Sequence, residues 1–318
     1  MYAKTVLKKN YSLKKLTTIK TGGPAKYFLI ARKAKNLVEA INWAKKNKIN
    51  WYVIGDGSNL IPSDKGFNGL IIKNEIRDIK LQMHANDTGG KVTIGAGENL
   101  TRFIFRLNRL GLKGMEKMAG IPGTVGGAIY GCAGAYGQEI KDYLTNIKIF
   151  DGKKFCRLSK KQCRFTYRES IFKKKKNFII LAAEFKLKKG NSQELTKTSK
   201  EIIKMRKKKY LPGLLCPGSF FKNVLINNIK PVSLRQRFLQ RIDKDKINNG
   251  KVSSGYLLEQ VGAKGTKCGA IKVAKYHGNL IYNTGKGNTL EVTKLAEILK
   301  NRVREKFGII IEEEIQYL

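Results

Sequence analysis

The sequence predicts an α+β fold assembled from more than one module, on three observations. Segments with apolar residues at helical spacing are interleaved with short apolar runs of strand length. Several of those runs end in Gly-rich turns. The chain is 318 residues long and 42% hydrophobic, enough for two or three buried cores.

The elements follow in order along the chain. Leu37, Ala40, Ile41 and Ala44 mark a first amphipathic helix, and Trp51 to Ile54 reads as a strand running into Gly55. Leu70 to Lys73, Ile79 to Met83 and Lys91 to Gly95 are short strand-like runs. Leu100, Phe103, Leu107 and Leu110 mark a second helix closed by Gly111. From Gly114 to Gly137 the composition shifts to Gly, Ala and small residues, the pattern of a loop-rich ligand wall. Leu144 to Phe150, Lys154 to Leu158 and Phe178 to Leu187 read as strands, and Glu194 to Lys209 as a basic amphipathic helix. Leu211-Pro212-Gly213 then reads as a domain boundary. Beyond it, Ser219 to Leu225 is strand-like, Asn227 to Ser253 is a polar, basic and partly helical insertion, and Tyr256 to Val261 is a short helix. Asn288 and Glu291 form a capping-box start to a helix that Leu295, Leu299, Val303 and Phe307 continue to Gly308. Ile309 to Leu318, carrying Glu312, Glu313 and Glu314, reads as a final strand.

Composition excludes several classes. Five cysteines, none in a Cys-x-x-Cys pair, argue against a disulfide framework or a zinc site, and only His84 and His277 are available to a histidine-based site, so no metal is expected. No apolar run reaches the roughly 18 residues of a membrane span, nor does the N-terminus resemble a signal peptide, so the expectation is a cytoplasmic protein without membrane insertion. The formal net charge of +40, from 64 basic against 24 acidic residues, raises nucleic-acid binding. The lysines are spread along the whole chain with no separate basic arm, which favours solvated lysine faces and no nucleic-acid partner.

Two glycine stretches carry chemistry. Gly55-Asp56-Gly57-Ser58-Asn59 follows a strand and would let backbone amides approach a phosphate; an ordinary tight turn is equally consistent with it. It lacks the spacing of a Rossmann fingerprint. Gly120-Ile121-Pro122-Gly123-Thr124-Val125-Gly126-Gly127 fixes unusual dihedrals and removes side chains where something flat or phosphorylated presses on the backbone.

In this order, with an amphipathic helix between them, the two turns resemble the FAD-binding domain of the vanillyl-alcohol-oxidase (PCMH) type. Thr18 to Ala25, Gly55 to Leu60, Ala119 to Gly127, Ala133 to Gly137, Tyr167 to Ser170, Gly218 to Asn223 and Glu312 to Ile315 together are similar to the UDP-N-acetylenolpyruvoylglucosamine reductase family, from about Thr17 to Leu318. The resemblance implies an FAD-binding lobe over 1–75, a second lobe over 76–208 and a substrate-binding domain over 209–318 whose final strand returns to the site. It also implies reduction of the enolpyruvyl ether of UDP-N-acetylglucosamine to UDP-N-acetylmuramate for peptidoglycan, by FAD and NADPH, in a monomer. Hydride would reach the methylene carbon, which needs positive or hydrogen-bonding groups at the carboxylate and a proton on the other carbon.

By the same resemblance, Arg168 binds the carboxylate, Ser219 donates the proton with hydrogen-bonded support from a nearby lysine, and Glu314 works beside the developing enolate. Gly55, Gly57, Ser58, Asn59, Gly120, Ile121, Pro122, Gly123, Thr124, Gly126 and Gly127 hold FAD, and Tyr136, Tyr167 and Asn223 line the substrate pocket. The residues alone leave open a surface ion pair of Arg168 with Glu169, a plain turn serine and a solvated strand end. Cys216-Pro217 before Gly218 and Cys132 depart from the family pattern. No counterpart of the substrate tyrosine loop of one subtype is present. A flavoprotein of the same fold acting on a different small molecule is the rival reading.

Overall fold

The computed structural model describes residues 7–84 and 88–318; Met1–Val6 and Ala85–Asp87, parts of the two expected FAD lobes, lie outside the described residues. The chain forms two compact units. One contains the segments ending at Tyr11, Ala25–Gly57 and Asn68–Lys208; the other contains Ser12–Pro24, Ser58–Phe67 and Lys209–Leu318.

In the first unit a four-stranded sheet runs in the order Lys8–Ser12, Pro24–Ala31, Phe67–Asn74, Asn50–Ile54. Its last two strands are parallel, with Asn50 opposite Gly69 and Ile54 opposite Lys73. The helix Ala34–Lys46 turns its stripe Leu37, Ala40, Ile41 and Ala44 into a core shared with Leu29, Leu70 and Ile72. A second, antiparallel sheet runs in the order Phe155–Ser159, Leu144–Phe150, Ile179–Lys189, Gly89–Gly95, Ile79–Met83. Against it packs the helix Leu100–Arg109, capped by Asn99 Oδ1 accepting from the Arg102 amide at 3.0 Å and closed by Gly111 at φ +65°. Leu100, Phe103, Ile104 and Leu107 are its buried face, each such side chain stabilising the fold by about 1.5–3 kcal/mol. Within the expected loop wall the structure adds a short helix, Val125–Tyr130, and a hairpin of Gly134–Ala135 with Gln138–Glu139.

In the second unit Lys267–Cys268, Ile271–Ala274 and His277–Asn283 form an antiparallel sheet. The helix Thr289–Phe307 packs Val292, Leu295, Leu299, Val303 and Phe307 into the same core as Ile271, Val273 and Ile281. Its capping box is formed in both directions between Asn288 and Glu291, and Asp64 adds two more caps by accepting from the amides of Thr289 (2.9 Å) and Leu290 (3.0 Å). That anchors Leu60–Ile61, which pair in parallel with Gln316–Tyr317. The polar stretch 227–253 contains the helix Val232–Gln240, and Phe238 and Ile242 are buried in the main core, so the stretch is built into the unit.

Two expected strands are shorter than their sequences suggest. Of Ser219 to Leu225 only Val224–Leu225 is a strand, because Phe220 and Phe221 are both buried, and consecutive inward side chains do not fit a pleat. Of Ile309 to Leu318 only Gln316–Tyr317 is a strand, with one isolated bridge from Glu313 to Phe221.

Candidate active site

The two glycine turns meet in the first unit. A Cβ added at Gly55 would lie 2.4 Å from Thr124 Oγ1, so a side chain there would force Thr124 to shift. Thr124 in turn caps the helix Val125–Tyr130, its hydroxyl accepting from the Gly127 amide at 3.1 Å. Other amides of the second stretch are also used internally. Gly120 donates to Thr101 Oγ1 (3.0 Å), Ile121 to Met118 O (3.2 Å), Val125 to Glu98 O (2.8 Å) and Gly126 to Ala96 O (2.8 Å). These five amides hold the loop in shape. Gly55, Asp56 and Gly57 are half-exposed, and Pro122 and Gly127 are exposed. Ser58 and Asn59, the rest of the first turn, belong to the second unit.

Arg168 sits at φ +56° in a tight turn closed by reciprocal amide–carbonyl bonds between Thr166 and Glu169, both 3.2 Å. Its guanidinium donates to Cys132 O (3.1 Å) and Gly134 O (2.8 Å) and lies over the Tyr167 ring at 5.2 Å. Glu169 is bonded by Lys173 Nζ at 3.3 Å. The Gly134 carbonyl starts the hairpin whose two turn residues, Tyr136 and Gly137, both have positive φ (50° and 82°), the backbone of a type I′ turn. A tyrosine is strained there, and this one projects at the exposed tip. Arg168, with the Tyr167 ring under it, thus holds the start of the hairpin that carries Tyr136. The neighbouring Cys132 thiol is pushed up to about 11, burial being the main cause.

In the second unit, the segment that follows Ser219 and the one that holds Glu314 pair through the backbone. Glu314 N donates to Phe220 O at 2.8 Å and Lys222 N to Glu312 O at 2.8 Å, so the segments on either side of Phe221 and Glu313 run antiparallel. Glu314 O accepts from Asn59 Nδ2 at 3.0 Å, and Asn59 O accepts from Gln316 N at 2.9 Å. The three glutamates separate by partner. Glu312, mostly exposed, meets Lys222 Nζ at 3.0 Å, and Glu313 meets Lys300 Nζ at 2.5 Å. Glu313 also lies against the Tyr317 phenol, whose pKa is raised by burial and by that carboxylate.

Asn279 fixes the other strand of the pair: its carbonyl accepts from Phe220 N (3.1 Å), and its side chain makes both bonds to the Phe221 backbone at 2.8 Å. Asn279 N donates to His277 Nδ1 at 3.0 Å; burial, then the Lys209 charge, pushes this imidazole down to about 4. Asn223 Oδ1 accepts from Ser254 N at 3.3 Å, beside the helix Ser254–Gln260.

Sequence reasoning assigns support of Ser219 to a lysine; the residue on its hydroxyl is Tyr210, with the two oxygens 2.8 Å apart. Arg206, whose Nε donates to Gly120 O at 3.0 Å, also escapes sequence reasoning. Neither has a local signal, since the partners are met across an irregular loop and across 86 residues.

Residues 25–153 match the model of the FAD binding domain, and residues 213–318 that of the UDP-N-acetylenolpyruvoylglucosamine reductase C-terminal domain. The chain is 43% identical over 297 residues to UDP-N-acetylenolpyruvoylglucosamine reductase of Solibacter usitatus, covering 93% of this chain and 92% of that protein. The chain belongs to this reductase family. To the reductase of Caldicellulosiruptor bescii it is 34% identical over 313 residues, covering 98% and 90%. The crystal structure of the reductase from Thermus caldophilus superposes with a TM-score of 0.72 at 26% identity, over 99% of this chain and 98% of that one. The fold class expected from the sequence, α+β with an FAD-binding domain of the PCMH type and a reductase C-terminal domain, therefore stands, and the protein is a flavin-dependent oxidoreductase.

The residues present fit FAD. The Gly55–Thr124 contact leaves side-chain-free backbone for a flat ring or a phosphate, and Arg206 puts a permanent cation on Gly120. No helix among the described residues is long and apolar enough to cross a membrane, and no cluster of three or more His, Cys, Asp or Glu side chains among them is placed to hold a metal.

Proposed function

We propose that this reductase converts UDP-N-acetylglucosamine enolpyruvate to UDP-N-acetylmuramate in the cytoplasm, as a monomer, in peptidoglycan precursor synthesis. Residues 1–75 and 76–208 serve as the two FAD lobes and 209–318 as the substrate domain. FAD, when bound, would supply hydride transfer from NADPH to the enolpyruvyl methylene carbon. Gly55, Gly57, Ser58 and Asn59, with Gly120, Ile121, Pro122, Gly123, Thr124, Gly126 and Gly127, hold the cofactor.

Each side chain then has one task. Arg168 binds the substrate carboxylate; its planar, always-charged fork suits a carboxylate better than a lysine does. Two of its donors already hold backbone carbonyls, which fixes the orientation of the fork. Ser219 gives its hydroxyl proton to the carbon that becomes saturated last, and Glu314 stabilises the enolate formed before that step. Tyr136, Tyr167 and Asn223 bind the sugar nucleotide.

The observation that supports this reading most is the backbone bond from the Glu314 amide to Phe220 O, the residue after Ser219, although 95 positions separate Ser219 from Glu314 in the chain. Incubation with NADPH and the enolpyruvyl substrate, followed by mass spectrometry, should yield a product heavier by two hydrogens, with NADPH consumed only when substrate is present. NADPH consumption that ignores the substrate, with no such product, would sink the reading.

A further inference from the structure

Ser219 is a weak acid for its proposed task. An aliphatic hydroxyl gives up a proton to carbon only if the charge left on oxygen is met at once by a better donor. In the loop from the end of the helix Ser192–Lys209 to Ser219, the Tyr210 phenol meets Ser219 Oγ at 2.8 Å. The ring is half-buried, with Lys209 Nζ 5.1 Å from its centre, so a cation stands beside the phenol. On the other side of the serine, Gly218 has φ +92° and open space around it, so the turn presents the hydroxyl without crowding it.

We propose that Tyr210 is the positioning residue of the proton-transfer step, holding Ser219 Oγ in its donating rotamer and passing it a replacement proton. This rests on the proposed role of Ser219. In the step, the Ser219 O–H bond breaks as the C–H bond forms at the enolpyruvyl carbon. The phenol O–H bond breaks as the serine O–H bond reforms, leaving a phenolate that takes a proton from water. The direction is downhill because a phenol is a far stronger acid than an alkyl alcohol. No electrons beyond the hydride already supplied by NADPH are needed.

The test uses the FAD-loaded full chain and reads the two half-reactions separately by rapid mixing, with substrate Kd from calorimetry. In Tyr210→Phe, flavin reduction by NADPH and substrate Kd should match the wild type. Reoxidation by substrate should fall about tenfold to a hundredfold, up to the lower end of general acid contributions, with a larger solvent isotope effect. In the Ser219→Ala background the same change should add nothing. A mere loop stitch would instead weaken substrate binding, leave the isotope effect alone and multiply with Ser219→Ala; that result, or wild-type reoxidation, overturns the inference. If Ser219→Ala itself reoxidises normally, the serine role in the proposed function is wrong instead. Should Tyr210→Phe fail to hold FAD, wild-type chain made with fluorotyrosine, a more acidic phenol, should change reoxidation and leave reduction alone; no change in either overturns the proposal.

Discussion

Gly55 and Gly218 each sit at the mouth of a proposed functional turn, for opposite reasons. At Gly55 the backbone is ordinary and the space is missing, because Thr124 Oγ1 occupies the place of a Cβ. At Gly218 the space is free and the backbone is unusual, at φ +92°. The first region is therefore set by packing between distant segments, and the second by local conformation and hydrogen bonds around Ser219. A cofactor wall must keep its shape whether or not chemistry occurs, whereas a proton donor needs an aimed hydroxyl. Substitutions in the two regions should separate flavin retention from the chemical step.

The largest separation is expected at Ser219. Ser219→Ala should retain FAD and its reduction by NADPH while slowing reoxidation by substrate about 10²- to 10⁴-fold, read by stopped-flow absorbance at saturating substrate. Next is Gly55→Ala. The added methyl either strains the Thr124 contact, at about 1–3 kcal/mol, or turns Thr124 away and forfeits its cap, at about 0.5–2 kcal/mol. The chain should lose FAD on gel filtration and melt at lower temperature, and full flavin occupancy would show that packing at the two turns does not define the wall.

Gly218→Ala should cost about 1–2 kcal/mol, the penalty of a side chain in the left-handed region. It should keep its flavin and lower reoxidation, with denaturant titration giving the stability change. The smallest effect is a pH dependence behind Phe220 and Phe221. His277 is held at about 4 against an ordinary 6.5, so below pH 6.5 the unfolded chain binds a proton that the folded chain refuses until about pH 4. Stability should fall as pH drops through that window, by about 1 kcal/mol once solvent screening of a half-buried ring is allowed for. His277→Gln should flatten that part of the melting-temperature profile, and an unchanged slope would place the acid sensitivity elsewhere.

The same contrast explains how much is legible in the sequence. Leu100, Phe103 and Leu107 declare their helix, and Asn288 with Glu291 declares its cap, because those signals lie within a few residues of each other. The encounter of Gly55 with Thr124 carries no local mark, so the turns can be named without the contact that joins them. Around Ser219 the apolar run reads as a strand, but Phe220 and Phe221 both point into the core, and the pairing with Glu312 to Glu314 is too short for a sheet. Three consecutive glutamates cannot be told apart by pattern; Lys222, 90 positions from Glu312, and Lys300, on the preceding helix, distinguish two of them. Tyr210 is invisible for the same reason, being tied to Ser219 across a loop without periodicity.

The most direct measurement is an anaerobic visible spectrum of the purified protein, taken before NADPH, after NADPH and after the enolpyruvyl sugar nucleotide. The expected result is a flavin spectrum that bleaches with NADPH and returns when the sugar nucleotide is added. A colourless protein, or a bleached one that the sugar nucleotide fails to restore, would contradict the assignment of a flavin-mediated reduction to this chain.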